Sequence, residues 1–95
     1  EYDEEEEHFT PMGKNCWIVD ARMSLIDVEE QLGIELPQGP DYDTVGGFIF
    51  DRAGTIPSRG FTIKLDKAEI EILKSNDRRV EKVKIKKIAD KPENA

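Results

Sequence analysis

From Gly60 onward the chain alternates apolar and polar residues with a period of two, and this fixes what the rest must provide. Phe61, Ile63 and Leu65 are separated by Thr62 and Lys64, Ile70 and Ile72 stand among Glu69, Glu71 and Leu73, and Val83 and Ile85 are flanked by Lys82, Lys84 and Lys86. Alternation of this kind puts the apolar side chains on one face of a strand and the polar ones on the other. Ser75-Asn76-Asp77 is turn material by composition, so the segment reads as a three-stranded antiparallel meander ending near Ile88. Val80 is out of phase with Val83, which predicts a bulge or register change early in the last strand. A sheet with one greasy face needs a cover.

Two short helices can supply it. Ser24 precedes Leu25, Val28 and Leu32, which are spaced by three and four, and Asp27 completes a capping-box pattern. Gly33 offers a left-handed stop and Pro37 forbids continuation, so the first helix spans about residues 25 to 32. The second is less plain, because Gly-Gly-Phe-Ile-Phe also resembles a strand entry. Val45, Phe48, Ile49 and Ala53 keep helical spacing, with Asp43 as N-cap, Gly54 as stop and Pro57 beyond. Glycines inside a helix cost about 1 kcal/mol each relative to alanine. The compensation expected at Gly46 and Gly47 is close approach of another backbone. Ahead of both helices, Cys16-Trp17-Ile18-Val19 reads as a buried opening strand after the turn residues Gly13-Lys14-Asn15.

The 95 residues leave room for one domain. The order is a strand, two short helices and a three-stranded meander, an α+β fold with the helices packed on one sheet face. No internal repeat is visible. Residues 10–90 form the domain, 1–9 an acidic linker or tail, and 91–95 a frayed tail.

Charge is distributed unevenly. Six of the 21 acids, Glu1, Asp3, Glu4, Glu5, Glu6 and Glu7, precede Phe9 with no base among them, leaving 15 acids against 14 bases in the rest. A like-charge run buries nothing and reads as a solvated linker. The rival reading, a cation held by Glu4–Glu7 and His8, loses ordering entropy for every ligand fixed. Half of the bases, Arg78, Arg79, Lys82, Lys84, Lys86, Lys87 and Lys91, cluster near the other end. Lysines on a terminal strand read first as protection of a sheet edge. The functional alternative is docking to an acidic partner surface or to anionic lipid headgroups. A net charge of −7 argues against nucleic acid as a partner.

Candidate chemistry is sparse. The single histidine, His8, lies in the acidic run, which closes nucleophilic triads. Cys16, bracketed by Trp17 and Ile18, reads as a buried inert thiol, and as the sole cysteine it can form no disulfide within the chain. No glycine pattern for cradling phosphate occurs. Asp41 and Asp43 could face a divalent cation at the mouth of the second helix, but a capping role accounts for Asp43. Trp17, Phe48 and Phe61 read as core. No catalytic, cofactor-binding or metal-binding residue is assigned. No run approaches the ~20 apolar residues that cross a bilayer, so the chain by itself is expected to be soluble.

Four segments together resemble the CorC/HlyC transporter-associated domain: EYDEEEE, WIVDARMSLIDVEEQLGIELP, YDTVGGFIFDRAGTIPSRG and NDRRVEKVKIKK. The most specific combination is YDTVGG followed by Gly54-Thr55-Ile56-Pro57. The resemblance implies a small α+β fold similar in architecture to the FAD-binding subdomain of certain flavin oxidases, without implying a flavin. It further implies a cytoplasmic domain at the C-terminus of a membrane protein, behind a transmembrane region and a pair of CBS domains; similar domains occur on some cation/proton antiporters. The chain would then be a fragment, reaching the membrane only through its parent. Its implied role is non-catalytic modulation of ion transport, such as magnesium or cobalt efflux, through contacts with the CBS pair, the transmembrane region or a second copy of itself. The chain departs from the family at Phe61 and Asp66-Lys67-Ala68, where many members carry an acid and a glycine. A rival reading is a small-ligand or divalent-metal sensor, using Asp41 and Asp43 or the groove beside Gly46-Gly47.

Overall fold

The computed structural model describes residues 9–37 and 39–88. The Glu4–Glu7/His8 run and the tail 91–95 lie outside the described residues. In chain order the elements are β1 (Phe9–Gly13), β2 (Cys16–Asp20), α1 (Leu25–Leu32), α2 (Val45–Ala53), β3 (Thr62–Lys64), β4 (Ala68–Ser75) and β5 (Val80–Lys87). The strands form one antiparallel sheet in the order β1-β2-β5-β4-β3. The α+β class, the two helices and the closing meander are as the sequence implies, and one strand is added. Here β1 precedes the strand expected to open the fold, paired with it through a turn in which Gly13 and Asn15 take positive φ.

The sheet order corrects the reading of the lysines. Because β2 pairs with β5 from Cys16↔Lys86 to Asp20↔Lys82, the last strand is central and its backbone is hydrogen-bonded on both sides. Lys82, Lys84 and Lys86 therefore guard no edge. They stand on the uncovered face: Lys82 lies between Asp20 of β2 and Lys74 of β4, Lys84 between Ile18 and Glu71, and Lys86 between Cys16 and Glu69. Lys84 lies 3.6 Å from Glu71, and Lys74 lies 3.7 Å from Glu81. The expected irregularity is present: the β4–β5 register shifts between Ile72 and Lys74 and again between Lys74 and Ser75, which lets both Val80 and Val83 reach the core.

Val19, Ile63, Ile70, Ile72, Val83 and Ile85 from the inner sheet face join Leu25, Val28 and Leu32 of α1 and Val45, Phe48 and Ile49 of α2 in a single buried cluster. Burying one such side chain contributes about 1.5–3 kcal/mol, so this shared interior holds the layers together. Ile34 and Leu36, which follow α1, are buried as well. Of the aromatics expected inside, Phe48 is buried and Trp17 packs partly against the core, but Phe61 is exposed. Phe61 keeps parity with Ile63, yet it precedes the edge strand β3 at a turn where its amide donates to the Ser58 carbonyl. Cys16 is half-buried rather than buried, since the pleat puts it on the same uncovered face as Ile18 and Lys86 lies opposite it on β5.

Candidate functional site

The two helix N-termini are built as one unit. At α1, Ser24 Oγ accepts from the Asp27 amide at 3.0 Å, and Gly33 (φ 72°) closes the helix by donating to the Glu29 carbonyl. At α2 the cap is Thr44, not Asp43: Thr44 Oγ1 accepts from the Gly47 amide at 3.1 Å. Asp43 is one residue too early, and its carbonyl instead accepts the Leu25 amide at 3.0 Å. The Val45 amide donates to the Met23 carbonyl and the Gly46 amide to the Ala21 carbonyl. The first turn of α2 is thus sewn to the segment that connects β2 to α1.

This is where the paired glycines act. A Cβ at Gly46 would lie 3.2 Å from the Ala21 carbonyl oxygen and 3.3 Å from Ala21 Cβ. A Cβ at Gly47 would lie 2.9 Å from Tyr42 Cβ. The close approach of another backbone expected from the sequence is present at Gly46, whereas at Gly47 the space is taken by the side chains of Tyr42 and Thr44. Beside them opens an apolar groove of about 330 Å³, lined by Ala21, Arg22, Thr44, Gly46, Gly47, Phe50, Ile56, Arg78, Arg79 and Val80. Phe50 stands 52% exposed at its wall, on the outer side of α2 from Val45, Phe48 and Ile49, which are buried. The three charged side chains in this lining are all arginines.

The far wall is rigidly set. Asn76 Oδ1 accepts the amides of Arg78 (2.7 Å) and Arg79 (3.0 Å), its Nδ2 donates to Glu81, and its own amide donates to the Arg79 carbonyl. Ser75 Oγ donates to the Pro57 carbonyl at 2.8 Å, tying the loop after α2 to β4. At the near wall Arg22 forms a two-point pair with Asp20, its NH2 group 3.0 Å from Asp20 Oδ2. That side-chain bond holds the Asp20 carboxyl below the usual aspartate range, against the opposing effect of burial, helped by the Arg22 amide and the charges of Arg22 and Lys82.

Asp41 and Asp43 are both exposed, flanking Tyr42. Tyr42 itself faces inward, edge-on to Phe48 with ring centres 5.7 Å apart, and Arg52 lies over the other ring at 5.4 Å. Among the described residues no group of three or more His, Cys, Asp or Glu side chains is placed to hold a metal ion. No described helix is long and apolar enough to cross a membrane. The groove beside Gly46-Gly47 was legible in the sequence, but its arginine and phenylalanine walls were not. Arg78 and Arg79 entered only as part of a charge count, and the turn that aims them depends on Asn76.

Comparison with known proteins agrees with this architecture. The magnesium and cobalt efflux protein CorC of Escherichia coli (strain K12) is 32% identical over 94 residues, an alignment covering 98% of this chain and 32% of that protein. The polyamine export protein of Salmonella typhimurium (strain 14028s / SGSC 2262) is 29% identical over 87 residues, 90% of this chain and 20% of that one. The chain therefore spans about a third or less of these relatives. The solved CorC_HlyC transporter-associated domain from Nitrosomonas europaea superimposes with a TM-score of 0.77 at 24% identity, over 86% of this chain and 98% of that one. Residues 10–89 match the family described as Transporter associated domain, and the chain belongs to this CorC/HlyC family.

Proposed function

We propose that this domain is a non-catalytic regulatory module of a larger membrane ion transporter and that it modulates transport through contacts with neighbouring domains. Support comes from the relatives: one of which the chain spans about a third is named for magnesium and cobalt efflux, and another, of which it spans a fifth, for polyamine export. The single structural observation that carries the reading is the groove beside Gly46-Gly47: an apolar surface with an exposed phenylalanine, held between pinned walls. Exposed apolar surface rimmed by charge suits contact with another protein surface. In this reading the partners are a CBS pair and a transmembrane region of the same parent chain, or a second copy of the domain, on the cytoplasmic side of the membrane.

Deleting residues 10–90 from the full-length parent tests this directly. The expected result is altered ion efflux or altered assembly, and unchanged flux, regulation and oligomeric state would contradict it. A sensor would behave differently. Titration of this chain with Mg²⁺, Co²⁺, Ca²⁺ and adenine nucleotides in a calorimeter should give no heat beyond dilution if the domain works by contact, whereas saturable heat would favour a ligand sensor.

A further inference from the structure

The two kinds of base are sorted by surface. The chain has five arginines, Arg22, Arg52, Arg59, Arg78 and Arg79, against nine lysines. Arg22, Arg78 and Arg79 line the groove beside Gly46-Gly47, and Arg59 lines a second depression that meets it at Phe50 and Ile56. Among the described residues no lysine lines either one. The fifth arginine, Arg52, lies over the Phe48 ring. The planar fork of arginine grips a carboxylate by two parallel bonds and sheds water more readily than an ammonium, so protein contact surfaces favour it over lysine. Among the described residues the ion pairs join Asp20 with Arg22, Glu81 with Lys74 and Glu71 with Lys84, which leaves Arg59, Arg78 and Arg79 with unpaired charge. Asp77, in the second lining, offsets one of them. In a chain of net charge −7 the combined lining is therefore positive.

We infer that this surface binds an acidic protein segment carrying an apolar anchor, an inference that rests on the reading that the domain works by contact. The anchor seats against Phe50 and Ile56, while carboxylates flanking it meet Arg59, Arg78 and Arg79. The surface is already set for this. Asn76 Oδ1 holds the Arg78 and Arg79 amides, and the bond from Ser75 to the Pro57 carbonyl ties the loop carrying Ile56 to β4, so binding has little left to order. A second copy fits less well, because a two-fold contact through this face sets arginine against arginine. A phosphate headgroup would satisfy the arginines and leave the apolar floor in water.

The test titrates the 95-residue chain with a blocked synthetic dodecapeptide of glutamates around a central Leu-Trp pair, followed by nuclear magnetic resonance. The Gly46 and Gly47 amide signals should shift saturably, with half-saturation below about 1 mM. Arg78→Glu/Arg79→Glu should weaken binding about tenfold or more, and Arg78→Lys/Arg79→Lys about threefold, since the charge stays and the fork is lost. Both variants keep the backbone amides that Asn76 holds. Lys86→Glu/Lys87→Glu changes the net charge equally at the other end of β5 and should leave binding within about twofold. Glutamines in place of the glutamates, or Gly-Gly in place of Leu-Trp, should each cost the peptide about tenfold. No saturable shift up to about 2 mM, or equal binding of the glutamine peptide, would overturn the inference. So would phosphatidylserine vesicles moving the glycine signals where the peptide does not, which would make this a membrane surface, or signals that move with protein concentration alone, which would make the occupant a second copy. No transporter takes part in this titration, so its failure leaves the regulatory role to be decided by the deletion of residues 10–90.

Discussion

The Gly46 amide donates to the Ala21 carbonyl at 2.8 Å, and a Cβ on Gly46 would stand 3.2 Å from that same oxygen. One contact thus explains both why α2 carries a glycine there and why β2 continues into α1 along its present path. Ala21 has little freedom to retreat, being buried and bound through its own amide to the Glu81 carbonyl. Gly46→Ala would add roughly 1 kcal/mol of helix propensity. The close contact opposes that gain, and Gly46→Val should destabilise by about 1–3 kcal/mol with an unchanged denaturant slope. A neutral or stabilising valine in urea titration would show that the Ala21 strand moves aside freely.

The cap assignment separates two adjacent residues. Thr44→Ala removes the oxygen that accepts the Gly47 amide and should cost about 1 kcal/mol. Asp43→Ala leaves its backbone carbonyl on Leu25 intact and should cost at most about 0.5 kcal/mol, a remnant of its favourable position before the helix. Equal losses in paired denaturation curves would return the cap to Asp43.

The central place of β5 predicts opposite outcomes for its two faces. Ile85 is fully buried, and Ile85→Ala should cost about 2–5 kcal/mol. Lys84 faces Glu71 across the sheet, so Lys84→Ala should change stability by less than about 1 kcal/mol. Lys84→Glu places like charges side by side and should be the more harmful of the two, with the difference shrinking as salt rises.

The acid limb of the stability curve should report Asp20. Its carboxyl is held below the usual value, chiefly by the Arg22 side chain. As pH falls, the unfolded chain takes up this proton first, near the ordinary value of 3.8. The stabilisation is therefore complete above that pH and is lost as pH drops through the lower native value. Asp20→Asn should lower stability at neutral pH and flatten the fall below about pH 4. An unaltered acid limb in pH-resolved denaturation would remove Asp20 from the account.

Local signals made the helices readable, and non-local pairing hid the rest. Ser24, Gly33 and Gly54 announce their ends through short-range hydrogen bonds and backbone geometry, and the structure places them there. β1 gives no such signal. It is an edge strand of mostly exposed residues including Pro11 and Gly13, so no apolar alternation marks it. Lys82, Lys84 and Lys86 would read alike on an edge strand and on the wet face of a central one, and only the β2 ladder decides between them. Thr44 and Asp43 are both competent caps, and the link from the Asp43 carbonyl to Leu25 settles which one serves. The groove followed from Gly46 and Gly47, but Phe50 and the Asn76 turn joined it through tertiary packing.

Phe50 offers the most direct test of a domain that works by contact, because it is half-exposed on the groove wall and its replacement spares the core. In the full-length parent reconstituted in vesicles, Phe50→Glu should change ion flux or subunit assembly while the domain keeps its native circular dichroism. Wild-type flux, regulation and assembly from that variant, together with the same result from the 10–90 deletion, would contradict the account.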